Sequence, residues 1–188
     1  SSVSHMGIVV LGLNLAVLGT AGQDALNGAV FQMFAHGVMT ALFFSTVGFI
    51  YDRAHSKTIA DFGGLGSQMP RAVSIFIVAG LCGAGVPGLA SFWAELLVFM
   101  AALKTYPVMG VAIIIGLVLT AIYVLRVFSL AFFGPVNDKW DGLREQDLKG
   151  WQILPRAILV AVLLFFGFFP SVFLDVIDGT TTTTLAVF

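Results

Sequence analysis

The sequence predicts an all-α integral membrane chain of about five transmembrane helices, the third of them discontinuous. Three observations predict it. Of the 188 residues, 59% are apolar and only 10% charged, with a mean hydropathy of +1.00, which leaves too little polar surface for a water-soluble globule. The apolar residues gather into long stretches parted by short polar ones. One of these, residues 72–103, runs for 32 residues and as a straight helix would reach about 48 Å, against a hydrocarbon core of about 30 Å.

The first stretch, about 3–19, opens on Ser1-Ser2-Val3-Ser4-His5-Met6-Gly7. It has no initiator methionine, basic n-region or cleavage pattern, so it does not read as a signal peptide. A chain that begins inside a helix is expected, its upstream half being either part of a longer polypeptide or a separate chain. The second stretch, about 28–51, leads into a basic loop holding Arg53, His55, Lys57 and Arg71, where His55 is expected to be solvated. Gly63-Gly64-Leu65-Gly66 ahead of Met69-Pro70 lacks the strand context and spacing of a nucleotide fingerprint and predicts a flexible turn.

In the third stretch, 72–103, the central Gly83-Ala84-Gly85-Val86-Pro87-Gly88 removes one amide donor and loosens the backbone, which places a break near 83–88. The fourth stretch covers about 107–134. Between it and the fifth, about 153–177, residues 138–149 mix both charge signs and predict a solvated surface segment or a short interfacial helix. The threonine run 180–184 is expected to be an exposed tail. No internal repeat is visible within the five stretches.

The basic residues decide whether the third stretch crosses once or twice. With one broken crossing, the loops after the second and fourth stretches share a face and carry Arg53, Lys57, Arg71, Lys139, Arg144, Lys149 and Arg156, while the opposite face has Lys104. That asymmetry marks the cytoplasmic or matrix side; two crossings would abolish it. The third stretch is therefore read as one discontinuous helix, with the 138–149 loop inside and the C-terminus outside.

Composition also excludes partners and cofactors. A net charge of −1 without a basic stripe argues against nucleic acid. The single cysteine, Cys82, rules out an internal disulfide and any multi-cysteine iron–sulfur or zinc site within this chain, so it is expected to bind no redox cofactor and no metal. Cys82 is expected to pack between helices, and Trp93, Trp140 and Trp151 to pack or anchor at the interfaces.

Glu95 is the only acid in residues 72–103 and stands two turns beyond the predicted break. A charged carboxylate near mid-membrane costs about 3 kcal/mol or more, so Glu95 must be neutral, hydrated or paired. Measured along the helices from the outer face, His36 and Glu95 both come out about 12–14 Å deep, His5 about 21 Å and Arg126 about 28 Å. On these depths His36 lies beside Glu95 and can exchange a proton with it, histidine titrating nearest neutrality. Arg126 belongs near the inner surface and is a poor partner for Glu95.

The strings SSVSHMG (1–7), GAVFQMFAHG (28–37), YDRAH (51–55), GVPGLASFWAE (85–95) and AIYVLRVFSLAFFG (121–134) resemble, in that order and combination, the antiporter-like subunits of respiratory complex I, the proton-pumping NADH:quinone oxidoreductase. The match is to the C-terminal half of the subunit M type, over nearly the whole chain and weakest in the 138–149 loop and the threonine tail. Related L and N subunits tend to carry lysine on the broken helix; glutamate at position 95 tips the match toward M. The resemblance implies a membrane-arm subunit of the mitochondrial inner membrane or bacterial plasma membrane, conducting protons when a distant redox reaction reorganises the arm. It implies that NADH, FMN, iron–sulfur clusters and quinone belong to other subunits, and that the partners are neighbouring membrane-arm subunits and the lipid bilayer. By motif, His5 and His36 match histidines of the central hydrophilic axis, and Glu95 the acid of the distal half-channel. The family's other half, with its own broken helix, buried lysines and glutamate, is absent from this sequence, so a complete pair of half-channels cannot be built from it. Outside complex I, a sodium/proton antiporter or a membrane-bound hydrogenase or ferredoxin-linked complex is the alternative.

Overall fold

In the computed structural model, which describes residues 1–18, 21–136, 140 and 142–186, the regular structure of the described residues is all helix, without strands. The helices are α1 (Ser2–Leu18), α2 (Gly22–Ala54), α3 (Leu65–Gln68), α4 (Pro70–Gly83), α5 (Ala90–Thr105), α6 (Pro107–Ala131), α7 (Gly150–Phe168) and α8 (Pro170–Leu185). Gly22–Ala54, Gly110–Ala131 and Gly150–Phe168 are long and apolar enough to cross a membrane unaided. Asp138, Lys139 and Asp141, counted in the charged loop, lie outside the described residues.

Residues 72–103 form one interrupted crossing. α2, of 33 residues, is the rail along which α4 and α5 lie end to end. Phe76 of α4 packs on Phe43 with ring centroids 4.4 Å apart, Gly83 at the end of α4 faces Met39, and Ala94, Leu97 and Val98 of α5 close on Gly28. The chain thus runs steadily from one end of α2 toward the other without turning back. At about 21 Å and 24 Å, neither α4 nor α5 spans the core alone; in series they do.

The break satisfies its own backbone. Ala84 donates to Gly80 O at 2.9 Å, Gly85 to Cys82 O at 3.1 Å and Val86 to Leu81 O at 3.1 Å, so the last carbonyls of α4 are met within the turn, as a helix end away from water requires. Gly85 adopts a left-handed φ of 68°. The indole of Trp93 donates to Gly167 O at 2.8 Å and ties the start of α5 to α7, so this tryptophan packs helices rather than anchoring at an interface.

Two expectations at the C-terminus are corrected. The fifth apolar stretch is not continuous: Pro170 drives Phe169 out of helical geometry, to φ −124° and ψ 60°, and splits it into α7 and α8. The threonine run belongs to helix α8, with Thr180, Thr182, Thr183 and Thr184 exposed as expected but Thr181 not. Thr182, Thr183 and Thr184 donate back to the carbonyls of Asp178, Gly179 and Thr180, which satisfies the hydroxyls within the helix. Thr181 is buried: its hydroxyl donates to Asn27 Oδ1 at 2.6 Å, and Gln23 and Asn27 donate to Asp178 Oδ1 at 2.8 and 3.0 Å. This polar cluster, with Phe31 and Phe34 stacked on Phe173, holds α8 against the first turns of α2.

At the opposite end the glycine-rich segment is pinned rather than loose. It forms α3, and Gly64 and Gly66 donate to Phe133 O and Phe132 O. Trp140 stacks on Phe62 at 5.4 Å. Asp147 closes the N-terminus of α4, accepting from Arg71 N at 2.9 Å, Ala72 N at 3.1 Å and Leu148 N at 2.7 Å. His55 is exposed, as expected, and Arg126 is exposed on α6. Asp147→Ala is expected to strip these donors of their acceptor and to destabilise the full-length subunit by about 1–2 kcal/mol. A thermal unfolding midpoint equal to wild type would show that the cap does not hold α4.

Candidate functional site

Three helices converge on the carboxyl group of Glu95. The approach is close because the contact residues are small: a Cβ on Gly12 of α1 would lie 2.9 Å from Ala25 O and 3.1 Å from Val98, and one on Gly28 of α2 would lie 2.9 Å from Ala94 O. Small residues at such crossings are how membrane helices bring backbones together without a hydrophobic drive. Side chains from α1, α2 and α5 can then meet at hydrogen-bond distance.

They meet in a triangle. His5 Nδ1 lies 3.1 Å from Glu95 Oε1. Gln32 Nε2 lies 3.0 Å from the same His5 nitrogen and donates to Glu95 Oε1 at 3.3 Å. His5 is 2% exposed, Glu95 3% and Gln32 0%, so none of the three has bulk water as a substitute partner. The second carboxyl oxygen, Oε2, points at the helix break, where a Cβ on Gly85 would approach it to 2.6 Å. Glycine at 85 therefore serves both the left-handed turn and the space the acid fills.

The sequence-derived order of the site residues is corrected by this geometry. The direct partner of Glu95 is His5, not His36. His36 lies behind His5, ring centroids 5.2 Å apart and tilted by 40°. The cause is the start of α2, which begins at Gly22 rather than near residue 28, its first turns being held as helix by the polar cluster with α8. Counted from the observed helix ends, His36 and His5 lie about 20 Å deep and Glu95 about 15 Å, so the two histidines share a level. Arg126 makes no bond to any of them.

Gln32 went unnoticed in the sequence, although the signal was there. It stands four residues before His36, which places both on one face of α2 a turn apart. Several polar atoms around the triangle stay open: His5 Nε2, His36 Nδ1 and Gln32 Oε1 are buried without a hydrogen-bond partner. His5 Nε2 faces the end of α4, 3.7 Å from a Cβ built on Gly83. The imidazole thus has one nitrogen committed to the acid and the other free. Cys82, fully buried, lies with its sulfur 3.2 Å from Ser91 Oγ, one turn before Glu95. Among the described residues no three His, Cys, Asp or Glu side chains gather as metal ligands would.

Gly85→Ala is expected to push the carboxyl group off the break and lengthen its bonds to His5 and Gln32. A density map of the assembled variant with Glu95 still within 3.1 Å of His5 would refute the packing role of Gly85.

Comparison with known proteins places this geometry. The family model described as NADH:quinone oxidoreductase/Mrp antiporter, transmembrane, matches residues 1–122, which include all four polar site residues. Subunit M of the NADH-quinone oxidoreductase of Rickettsia felis is 31% identical over 188 residues, all of this chain and 37% of that protein. Subunit M of the F(420)H(2) dehydrogenase of Methanosarcina mazei is 35% identical over 189 residues, all of this chain and 36% of that protein. Among solved structures, respiratory complex I from Thermus thermophilus with bound NADH superposes with a TM-score of 0.81 at 25% identity, over 96% of this chain and 37% of that one. The Mrp complex of a Dietzia species gives 0.79 at 19% identity, over 96% and 40%, a likeness of fold. The chain spans a little over a third of the length of the curated relatives it matches.

Proposed function

The chain belongs to the NADH:quinone oxidoreductase/Mrp antiporter transmembrane family and is a multi-pass membrane protein, and on that premise we propose that it carries protons as part of the membrane arm of a complex I-type NADH:quinone oxidoreductase. The observation that carries the proposal is the buried pairing of Glu95 with His5 beside a break in the acid's own helix. A carboxyl group in that position is rarely structural, because a neutral residue would fill the space without the desolvation cost.

The relay runs His36, His5, Glu95. His36 passes a proton along the plane of the membrane to the free Nε2 of His5, and the proton on Nδ1 of His5 crosses 3.1 Å to Oε1 of Glu95. The ring is left neutral, one tautomer away from where it began, and Glu95 gives its proton to the outer face.

The relatives favour transport over redox chemistry as the task of this chain. Subunits similar to it over its whole length serve enzymes named for NADH, for NAD(P)H and for F(420)H(2). What stays constant while the electron donor changes is the membrane arm. On this reading NADH, FMN, iron–sulfur clusters and quinone sit in other subunits, the partners are neighbouring membrane-arm subunits, and the site is the mitochondrial inner or bacterial plasma membrane.

In the assembled full-length complex, Glu95→Gln is expected to lower proton pumping and the quinone reductase activity coupled to it by about tenfold or more, with assembly intact. His5→Leu should fall to a similar level, since it removes the direct partner of Glu95. Dye-quench measurements on vesicles read the pumping, and a wild-type rate in an assembled Glu95→Gln complex would overturn the relay.

A further inference from the structure

The triangle at Glu95 holds more donors than a two-residue relay needs. His5 Nδ1 has one bonding position in the plane of its ring, occupied by either a proton or a lone pair. With one proton shared between Nδ1 and Glu95 Oε1, both atoms are satisfied, and the Gln32 amide donates to a remaining lone pair on the carboxyl oxygen. Once that proton has left through Glu95, with the ring's own proton on Nε2, two lone pairs face each other across 3.1 Å. The group that lies within reach of both is Gln32 Nε2, at 3.0 Å from one and 3.3 Å from the other.

The amide's orientation follows from the same neighbours. An oxygen at its vertex would face a carboxylate oxygen at 3.3 Å, so the nitrogen must point inward. The price is an orphan: Gln32 Oε1 is buried with no partner. A residue that leaves one of its own polar atoms unsatisfied in order to present a donor to two acceptors is placed for that donor.

Resting on the relay proposed above, we infer that Gln32 is a positioning residue that holds the emptied Glu95–His5 pair together and so sets how readily the pair gives up its proton. The Gln32 N–H stands in for the departed proton, keeping the carboxylate and the bare imidazole nitrogen at bonding distance until the next proton arrives. Without it the emptied pair has two facing acceptors and no donor. The pair then keeps its proton and discharges only at lower proton activity.

The other titratable groups around the pair are His36 from α2, behind the His5 ring, and Cys82 from α4, whose sulfur is engaged with Ser91. No other titratable side chain among the described residues bonds to any member of the triangle. A change in pH dependence on altering Gln32 would therefore report on the pair.

The test uses the assembled full-length complex in vesicles, with proton pumping measured across pH. Gln32→Met keeps the length of the side chain and removes the donor. The pumping profile is expected to move to higher pH by about one to two units, the worth of a hydrogen bond to a charged group, with the maximal rate several-fold lower. Gln32→Leu removes the donor on a shorter side chain and likewise adds no titratable group; it should move the profile the same way, and it keeps the question open to measurement if the methionine variant fails to assemble. A lower rate with an unmoved profile in the assembled variants would mean that Gln32 only packs, and an unchanged rate and profile would overturn the inference as well. Glu95→Gln, measured in parallel, separates the two levels. If it pumps normally the relay itself falls; if it stops pumping while Gln32→Met is unaffected, only the role of Gln32 falls.

Discussion

A carboxyl group taken out of water must be given hydrogen-bond donors, and the arrangement of α1, α2 and α5 follows from supplying them to Glu95. No single helix can do so, because side chains on one helix that face each other are limited to neighbours three or four residues away. The donors come instead from His5 on α1 and Gln32 on α2, and the 3 Å bonds are reachable because Gly12 and Gly28 let the backbones almost touch. The small residues at the crossings and the buried acid are two parts of one solution. Enlarging the first would unmake the second.

The interruption of the third crossing gives this site a feature that a continuous helix would lack. α5 carries the acid, α4 carries Cys82 and Gly83 behind it, and the connection between them is a turn whose hydrogen bonds are all local. Such a turn can change its angle without breaking bonds to the rest of the protein. The bonds to Glu95 Oε1, at 3.1 and 3.3 Å, stand toward the long end of useful hydrogen-bond range, so a tilt of α5 that moved Glu95 by less than 1 Å would make or break them. Trp93, bonded to Gly167 on α7, is the point at which a movement of α7 would reach α5.

Much of this was legible in the sequence, and the exceptions share a cause. The crossings follow from hydropathy, the break from Gly83-Ala84-Gly85-Val86-Pro87-Gly88, and the burial of Glu95 from its isolation in an apolar run, because each is a property of contiguous residues. What contiguous residues do not encode is which helix ends are extended by partners. Gly22 to Asn27 look too polar for a membrane helix until Asp178 and Thr181 of α8 arrive to meet them. Missing those turns set His36 too shallow and put it in the place that His5 fills. Gln32 was missed for a related reason: an uncharged amide attracts no notice until the acid and the histidine that it bridges, 63 and 27 residues away in the chain, are brought beside it.

For the proposed relay, an open atom on each partner matters as much as the bond between them. A buried acid bonded to a histidine through the only open atom of each would trap a proton between them, since the way in and the way out would be the same. Here the two groups are engaged through one atom apiece. Glu95 keeps Oε2 free toward Gly85 and the break, and His5 keeps Nε2 free toward the end of α4, with His36 behind its ring. A proton can therefore arrive at one atom of the pair and another depart from a different atom, on a different side. The shared bond in the middle then serves as the coupling between two faces of the site, and the amide of Gln32, touching both of its ends, sits where that coupling can be tuned without blocking either opening.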